Sequence, residues 1–225
     1  VNKTNLGLVK FAKKTLVENW GYVRGTYGKK LTETILQEKI EQCGTHVTKF
    51  LDFIRKNYMG RRTVDCVCFI KSYIWWDDVK GEPAYQKYIN GILVDVTADS
   101  MFNAAKVKGR IATIPDIPGV CVYKTGHIGI YAGHGQVIEA KGTVDGVVQT
   151  SLKGIGSSNW TFWFKCPYIE YIKESELIQA VKFISANIPG GLDIAGWTGS
   201  NNTWKAEWVD TLIIKIADAW KGEKI

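Results

Sequence analysis

The sequence predicts an α+β fold, and three observations predict it. Apolar residues recur at helical spacing through the first half. A stretch at 66–76 is apolar nearly all round. From residue 120 onward, apolar and polar residues alternate in short runs separated by turn residues. A helical front half with one buried helix, followed by antiparallel strands, is the pattern of helices packed on one face of a sheet.

Residues 6–19 read as a helix, with Leu8, Phe11, Ala12 and Leu16 on one face and Lys10, Lys13 and Lys14 on the other. The stretch 20–28 breaks it with three glycines and reads as a structured loop. Helical spacing returns over 32–58 (Ile35, Leu36, Ile40, then Val47, Leu51, Ile54) and is interrupted near Gly44. The helix predicted over 66–76 carries Val67, Cys68, Phe69, Ile70, Tyr73, Ile74, Trp75 and Trp76, a composition that belongs inside a domain. Residues 77–110 are mixed, with a short helix predicted near 100–106. A proline-bearing turn at 114–119 leads into strands at 120–123, 127–132, 137–140, 146–150 and 160–166, read as a meander. Helical spacing resumes over 173–225, in two stripes separated by Pro189-Gly190-Gly191. At this size the tail is marginal as an independent fold, so a small helical accessory module docked on a main domain of 1–172 is expected.

Composition narrows the function classes. The chain has 225 residues, 45% of them apolar and 23% charged, with no low-complexity tract, and is globular. Its formal charge is +7, unevenly placed: residues 173–225 hold six Lys against seven Asp and Glu, so 1–172 carry +8. A basic body suits an anionic partner such as a cell-wall polymer or a membrane surface. No Lys/Arg block interleaves with aromatics, so nucleic acid is not the expected partner. No apolar run is long enough to span a membrane. The five cysteines are odd in number and give no disulfide framework. Cys66-Val67-Cys68 is spaced too tightly for a zinc knuckle and has no second ligand pair, so no metal and no organic cofactor is expected. The first residues lead straight into an amphipathic helix without the apolar core of a signal peptide. Either a leader has been removed, or the protein leaves the cell by another route, from a host cytoplasm to the wall as a lysin does or carried on a phage tail.

The chemistry-bearing residues are a thiol and an imidazole. Cys66 follows Asp65 at the mouth of the buried helix. There, free amides and the positive end of the helix dipole favour a thiolate. Cys68, Cys121 and Cys166 lie within apolar alternation and read as inert core. His127 opens a strand on which His127, Gly129 and Tyr131 share one face while Ile128, Ile130 and Ala132 point to the core. The glycine on the His face leaves room for another backbone or a substrate. His134, at a hairpin tip, and His46, in the helical stretch, read as structural or exposed. Whether Glu139 reaches His127 depends on register. A two-residue loop at His134-Gly135 that pairs 132 with 137 sends Glu139 to the opposite face. A three-residue loop from Gly133 to Gly135 pairs 129 with 139 and places Glu139 diagonal to His127, within about 5 to 8 Å. Glycines at both ends of the loop favour the latter.

Three segments together carry a family resemblance: Gly21-Tyr22-Val23-Arg24-Gly25, Asp65-Cys66-Val67-Cys68-Phe69-Ile70, and the run from Gly126-His127-Ile128-Gly129 through Ile138-Glu139-Ala140. In this order they resemble the NlpC family of papain-like cell-wall cysteine peptidases, over roughly residues 6–172. The resemblance implies a papain-like fold in which Cys66 is the nucleophile, His127 the base and Glu139 the orienting third residue. Tyr22 is then the hydroxyl that helps bind the oxyanion. Asp65 matches a substrate-recognition position, and Arg24 in the Tyr loop is assigned with it to substrate binding. The chain departs from the pattern in two ways. Val67 and Cys68 stand where a small residue and Gly are usual. The stretch from Tyr22 to Cys66 is also long, which makes about 30–60 a helical insertion.

The implied activity is a peptidoglycan endopeptidase acting on stem peptides, at the bond after γ-D-glutamyl, through an acyl-enzyme on Cys66. The same triad also serves an amidase cutting the sugar–peptide bond, or an acyl-transferring effector. A non-catalytic wall-binding module using Trp197, Trp204 or Trp208 of the tail is the alternative of a different class.

Overall fold

The computed structural model describes residues 3–172. The chain divides into two units, Val1–Tyr171 and Ile172–Ile225, and every described helix and strand belongs to the first. The helical module expected over 173–225, with its three tryptophans, lies outside the described residues.

In chain order the elements are α1 (Asn5–Val17), β1 (Gly21–Tyr22), β2 (Tyr27–Lys30), α2 (Glu33–Cys43), α3 (Thr45–Thr48), α4 (Leu51–Tyr58), β3 (Arg62–Val64) and α5 (Cys66–Ile74). There follow β4 (Trp76–Asp77), β5 (Glu82–Pro83), β6 (Tyr88–Ile89), β7 (Ile92–Leu93), α6 (Ala98–Ala104) and β8 (Lys108–Arg110). After a single 3-10 turn at Ile111–Thr113 come β9 (Cys121–Lys124), β10 (His127–Gly133), β11 (Gln136–Gly142), β12 (Gly146–Ser151) and β13 (Phe162–Phe164). The fold is α+β, with helices leading and a six-stranded antiparallel sheet of order β12-β11-β10-β9-β13-β8 behind them. Among the described residues no helix is long and apolar enough to cross a membrane.

Capping fixes where the two core helices begin. The Thr4 side chain accepts from the Gly7 amide to start α1, and Asp65 accepts from the Cys68 amide to start α5. All nine residues of α5 are buried. The charged one, Lys71, is paired: its Nζ donates to Asp95 Oδ1 at 2.6 Å and to the Val96 carbonyl at 3.2 Å. Phe69 and Ile70 of α5 pack with Leu8 and Phe11 of α1 against Ile128, Ile130 and Ile138 of the sheet. Beneath α2–α4 lies a second cluster of Val23, Leu31, Leu36, Val47, Ile54 and Tyr58. The sheet face away from α5 is covered too, by Val120, Val122, Tyr131, Val137, Leu152 and Trp160.

Three local expectations need correction. The stretch 20–28 is not all loop: β1 and β2 flank β3 in a three-stranded sheet, with β1 parallel to β3. Strands of two to four residues are too short for alternation to reveal. The large sheet is also not a plain meander, because β13 returns beside β9 with β8 at the edge. Finally, the β10–β11 connection is a two-residue turn. Gly133 pairs with Gln136, and His134 and Gly135 both have positive φ, 51° and 70°, the conformation of a type I′ turn. A bulge between Tyr131 and Gly133 then shifts the register by one residue, so Ile130 faces Ile138. That alignment carries Gly129 opposite Glu139, the result the three-residue loop was expected to give.

Candidate active site

Strand β3 delivers the chain to Asp65, and α5 starts at once with Cys66 in its first turn. Cys66 is 9% exposed. Its thiol donates to the Gly126 carbonyl at 3.8 Å, and the Ile128 amide also lies beside the sulfur. The sulfur thus meets the backbone on both sides of His127. Burial pushes the Cys66 thiol up to about 12, with help from the Asp65 carboxylate; the amides of Val67 and Ile128 and the Arg24 guanidinium pull the other way. Desolvation thus opposes the helix terminus, which by itself favours the thiolate.

An imidazole–carboxylate pair is built on β10 and β11. His127 Nε2 lies 2.7 Å from Glu139 Oε2, with the His side chain 13% exposed and Glu139 fully buried. Glu139 also accepts from Thr150 Oγ1 at 2.6 Å and from Ser158 Oγ at 2.7 and 2.8 Å to its two oxygens. Burial pushes this carboxyl up, but the bonds from His127, Thr150 and Ser158 outweigh it and leave it below the usual range. A carboxylate only accepts, so Nε2 carries a hydrogen, and in the neutral form of the ring Nδ1 is the nitrogen with the lone pair.

Gly129 was expected to leave room for another backbone or a substrate, and side chains fill that space instead. A Cβ at Gly129 would lie 2.8 Å from Val137 Cγ1 and 3.0 Å from the Trp160 ring. Trp160 stacks on the His127 imidazole at 5.2 Å between centroids and 12° between planes. The glycine makes room for an indole that shields the imidazole–carboxylate bond from water.

Tyr22, Arg24 and Asp65 border the sulfur. Tyr22 pairs with Val64, two residues before Cys66, across the parallel β1–β3 contact. Burial, then the neighbouring Cys66 and Asp65, push its phenol up, so it stays protonated and able to donate. Asp65 spends both oxygens on backbone: Oδ1 on the Cys68 amide at 2.7 Å, Oδ2 on the Gly25 amide at 2.9 Å. Its visible work is to tie the Tyr22–Gly25 loop to the start of α5. Arg24 is exposed, and among the described residues it has no carboxylate partner. His46 and His134 are both exposed and stand apart from this group. No described cluster of three or more His, Cys, Asp or Glu is placed to hold a metal ion.

No family model and no curated protein matches the chain. Similar solved structures include a P60 domain and a peptidoglycan hydrolase. The P60 domain of antigen MAP1204 from M. avium subspecies paratuberculosis is 16% identical, over 73% of this chain and 96% of that one, with a TM-score of 0.38. The peptidoglycan hydrolase RipB from Mycobacterium tuberculosis is 15% identical, over 74% of this chain and 83% of that one, with a TM-score of 0.31. The chain is structurally similar, at a distance, to NlpC/P60 domains. The chemistry of the site rests on this chain's own side chains.

Several residues of the site escape sequence reasoning. Ser158 and Thr150 carry no motif, and only strand register brings them to Glu139. Trp160 reads simply as the start of a strand. Its Nε1 is buried with no hydrogen-bond partner among the described residues, an arrangement that costs about 1 to 3 kcal/mol. The ring is held there by stacking and packing.

Proposed function

We propose that this chain is a cysteine peptidase acting on the stem peptides of peptidoglycan, with Cys66 as nucleophile, His127 as base and Glu139 as the residue that orients the imidazole. One observation carries the reading: a helix-capped thiol whose sulfur is bracketed by residues 126 and 128, with the intervening His127 bonded to a fully buried carboxylate at 2.7 Å.

In the proposed reaction His127 Nδ1 takes the thiol proton as Sγ attacks the scissile carbonyl carbon. The negative charge passes to the carbonyl oxygen, which the Cys66 backbone amide and the Tyr22 hydroxyl receive; one such donor is worth about 3 kcal/mol of barrier. Imidazolium then protonates the leaving amine as the C–N bond breaks, leaving a thioester on Cys66. A water, deprotonated at the same Nδ1, attacks the thioester, and the thiol and a carboxylic acid are restored. Glu139 stays ionised throughout and stabilises the charged ring. Arg24, exposed and without a carboxylate partner among the described residues, faces the carboxylates of the stem. The basic body adds a salt-sensitive attraction to an anionic wall.

The bond after γ-D-glutamyl is the proposed target. Purified walls digested with wild type and with Cys66→Ser, and resolved by mass spectrometry, test this: stems severed by the wild type and intact with the variant are expected. Release of whole stems from the sugar would instead identify an amidase, and equal products from both proteins would remove the nucleophile.

A further inference from the structure

Asp99 stands in the first turn of α6, 27 residues before Gly126, and belongs to no motif. Its Oδ1 accepts two hydrogen bonds, from the Gly126 amide at 2.7 Å and from the Tyr123 hydroxyl at 2.8 Å. One helical turn on, Phe102 stacks on the Tyr123 ring at 4.1 Å between centroids and 5° between planes. Helix α6 therefore grips the end of the β9–β10 hairpin at a backbone amide, a hydroxyl and a ring face.

The hairpin needs that grip. Lys124 pairs with His127, so Thr125 and Gly126 form a two-residue turn. Of the two, Gly126 alone has a positive φ, 74°. The turn is thus not of the primed kind, whose twist suits a hairpin, and an unprimed turn left to itself splays its strands. Two features of the site hang on its conformation: the Gly126 carbonyl that holds the Cys66 thiol, and the direction in which the chain enters His127. Glu139 fixes the ring through Nε2, while the turn fixes the backbone that carries the ring.

We propose that Asp99 is a positioning residue for the Cys66–His127 pair. It clamps the Thr125–Gly126 turn, with Tyr123 as the second strut, and so holds the backbone that carries the imidazole against the sulfur. The proposal rests on the peptidase reading for its kinetic consequence, but not for its geometric one.

The test uses the full chain carrying Asp99→Ala, Asp99→Asn or Tyr123→Phe, with two readouts. The first is kcat and KM on a purified muropeptide. A displacement on the scale of an ångström costs about a hundredfold, so Asp99→Ala is expected to lower kcat at least about tenfold with KM within about twofold. Asp99→Asn keeps an acceptor oxygen and is expected to restore most of kcat, and Tyr123→Phe, which removes one strut, to lose about threefold. The second readout needs no substrate: iodoacetamide labelling resolved by mass spectrometry, with the half-buried Cys43 as internal reference. The Cys66-to-Cys43 labelling ratio is expected to fall in Asp99→Ala and recover in Asp99→Asn.

Wild-type kcat and an unchanged labelling ratio in Asp99→Ala would overturn the proposal. So would a lowered melting temperature with kcat intact well below it. Should Asp99→Ala fail to fold, Tyr123→Phe decides by the same split of kcat from KM. If the wild type cleaves no stem peptide, the peptidase reading falls, and the labelling ratio still decides whether Asp99 positions the pair.

Discussion

Replacing Glu139 by glutamine separates the charge of the proposed orienting residue from its shape. In the native site two carboxylate oxygens receive three donor groups: His127 Nε2, Thr150 Oγ1 and Ser158 Oγ. Glutamine offers one acceptor oxygen and an NH2 group, and a hydroxyl of Thr150 or Ser158 can rotate to accept from the latter. The hydrogen-bond count survives; the charge does not. Bonds to a charged group are worth about 1.5 to 3 kcal/mol and neutral ones about 0.5 to 1.5, so roughly 1.5 kcal/mol of support for the imidazolium is lost. At 1.36 kcal/mol per decade this predicts about a tenfold fall in kcat. KM should hold within about twofold, since a side chain with no exposed surface cannot touch substrate. The assay is the initial rate of muropeptide cleavage, by chromatography with mass detection, beside a urea titration of each protein. A glutamine variant with wild-type kcat, or with a raised KM and unchanged kcat, would refute the assignment of Glu139 to the ring.

The same carboxylate makes a pH prediction. Its folded value lies below the ordinary one of about 4.3, so its contribution to stability is complete above that pH and is lost as pH falls through the folded value. The gap in urea midpoint between wild type and Glu139→Gln should therefore shrink between about pH 6 and about pH 3; a constant gap would contradict it. Trp160→Ala should cost about 3 to 5 kcal/mol in urea unfolding through the cavity it leaves. Trp160→Phe gives up no Nε1 hydrogen bond and should be much milder. Gly129→Ala pushes a methyl against Val137 and the Trp160 ring, so a loss of about 1 to 3 kcal/mol together with reduced activity is expected. Arg24→Gln should raise KM several-fold on stems bearing a free α-carboxylate and leave amidated stems nearly unaffected, a difference read by running the two substrates in parallel.

How much of the molecule is legible in its sequence varies by element. The buried helix is plain, since eight apolar residues between 67 and 76 leave no polar stripe, and it begins at the expected Cys66. The strands from 121 to 151 are equally plain. The pairing of 129 with 139 is reached through the wrong loop: glycine content suggests three residues, whereas His134 takes a positive φ and a bulge makes up the difference. Bulges leave no compositional mark. Gly129 misleads because a missing side chain shows only that something approaches closely; whether that is substrate or Trp160 is a tertiary fact. The upward push on the Cys66 thiol is not legible in the sequence, because the helix terminus is a local feature and desolvation is not. Asp99, Thr150 and Ser158 reach the site from separate elements, and no spacing rule links them.

The central claim is that Cys66 bonds covalently to its substrate with His127 beside it. The most direct measurement is the intact mass of the wild-type protein, quenched in acid during turnover of a purified muropeptide. A mass increase equal to the acyl half of the stem, mapped to the Cys66 peptide and absent in Cys66→Ser, is the predicted result. Continued cleavage by Cys66→Ser, or turnover by the wild type with the adduct on another residue, would contradict the account.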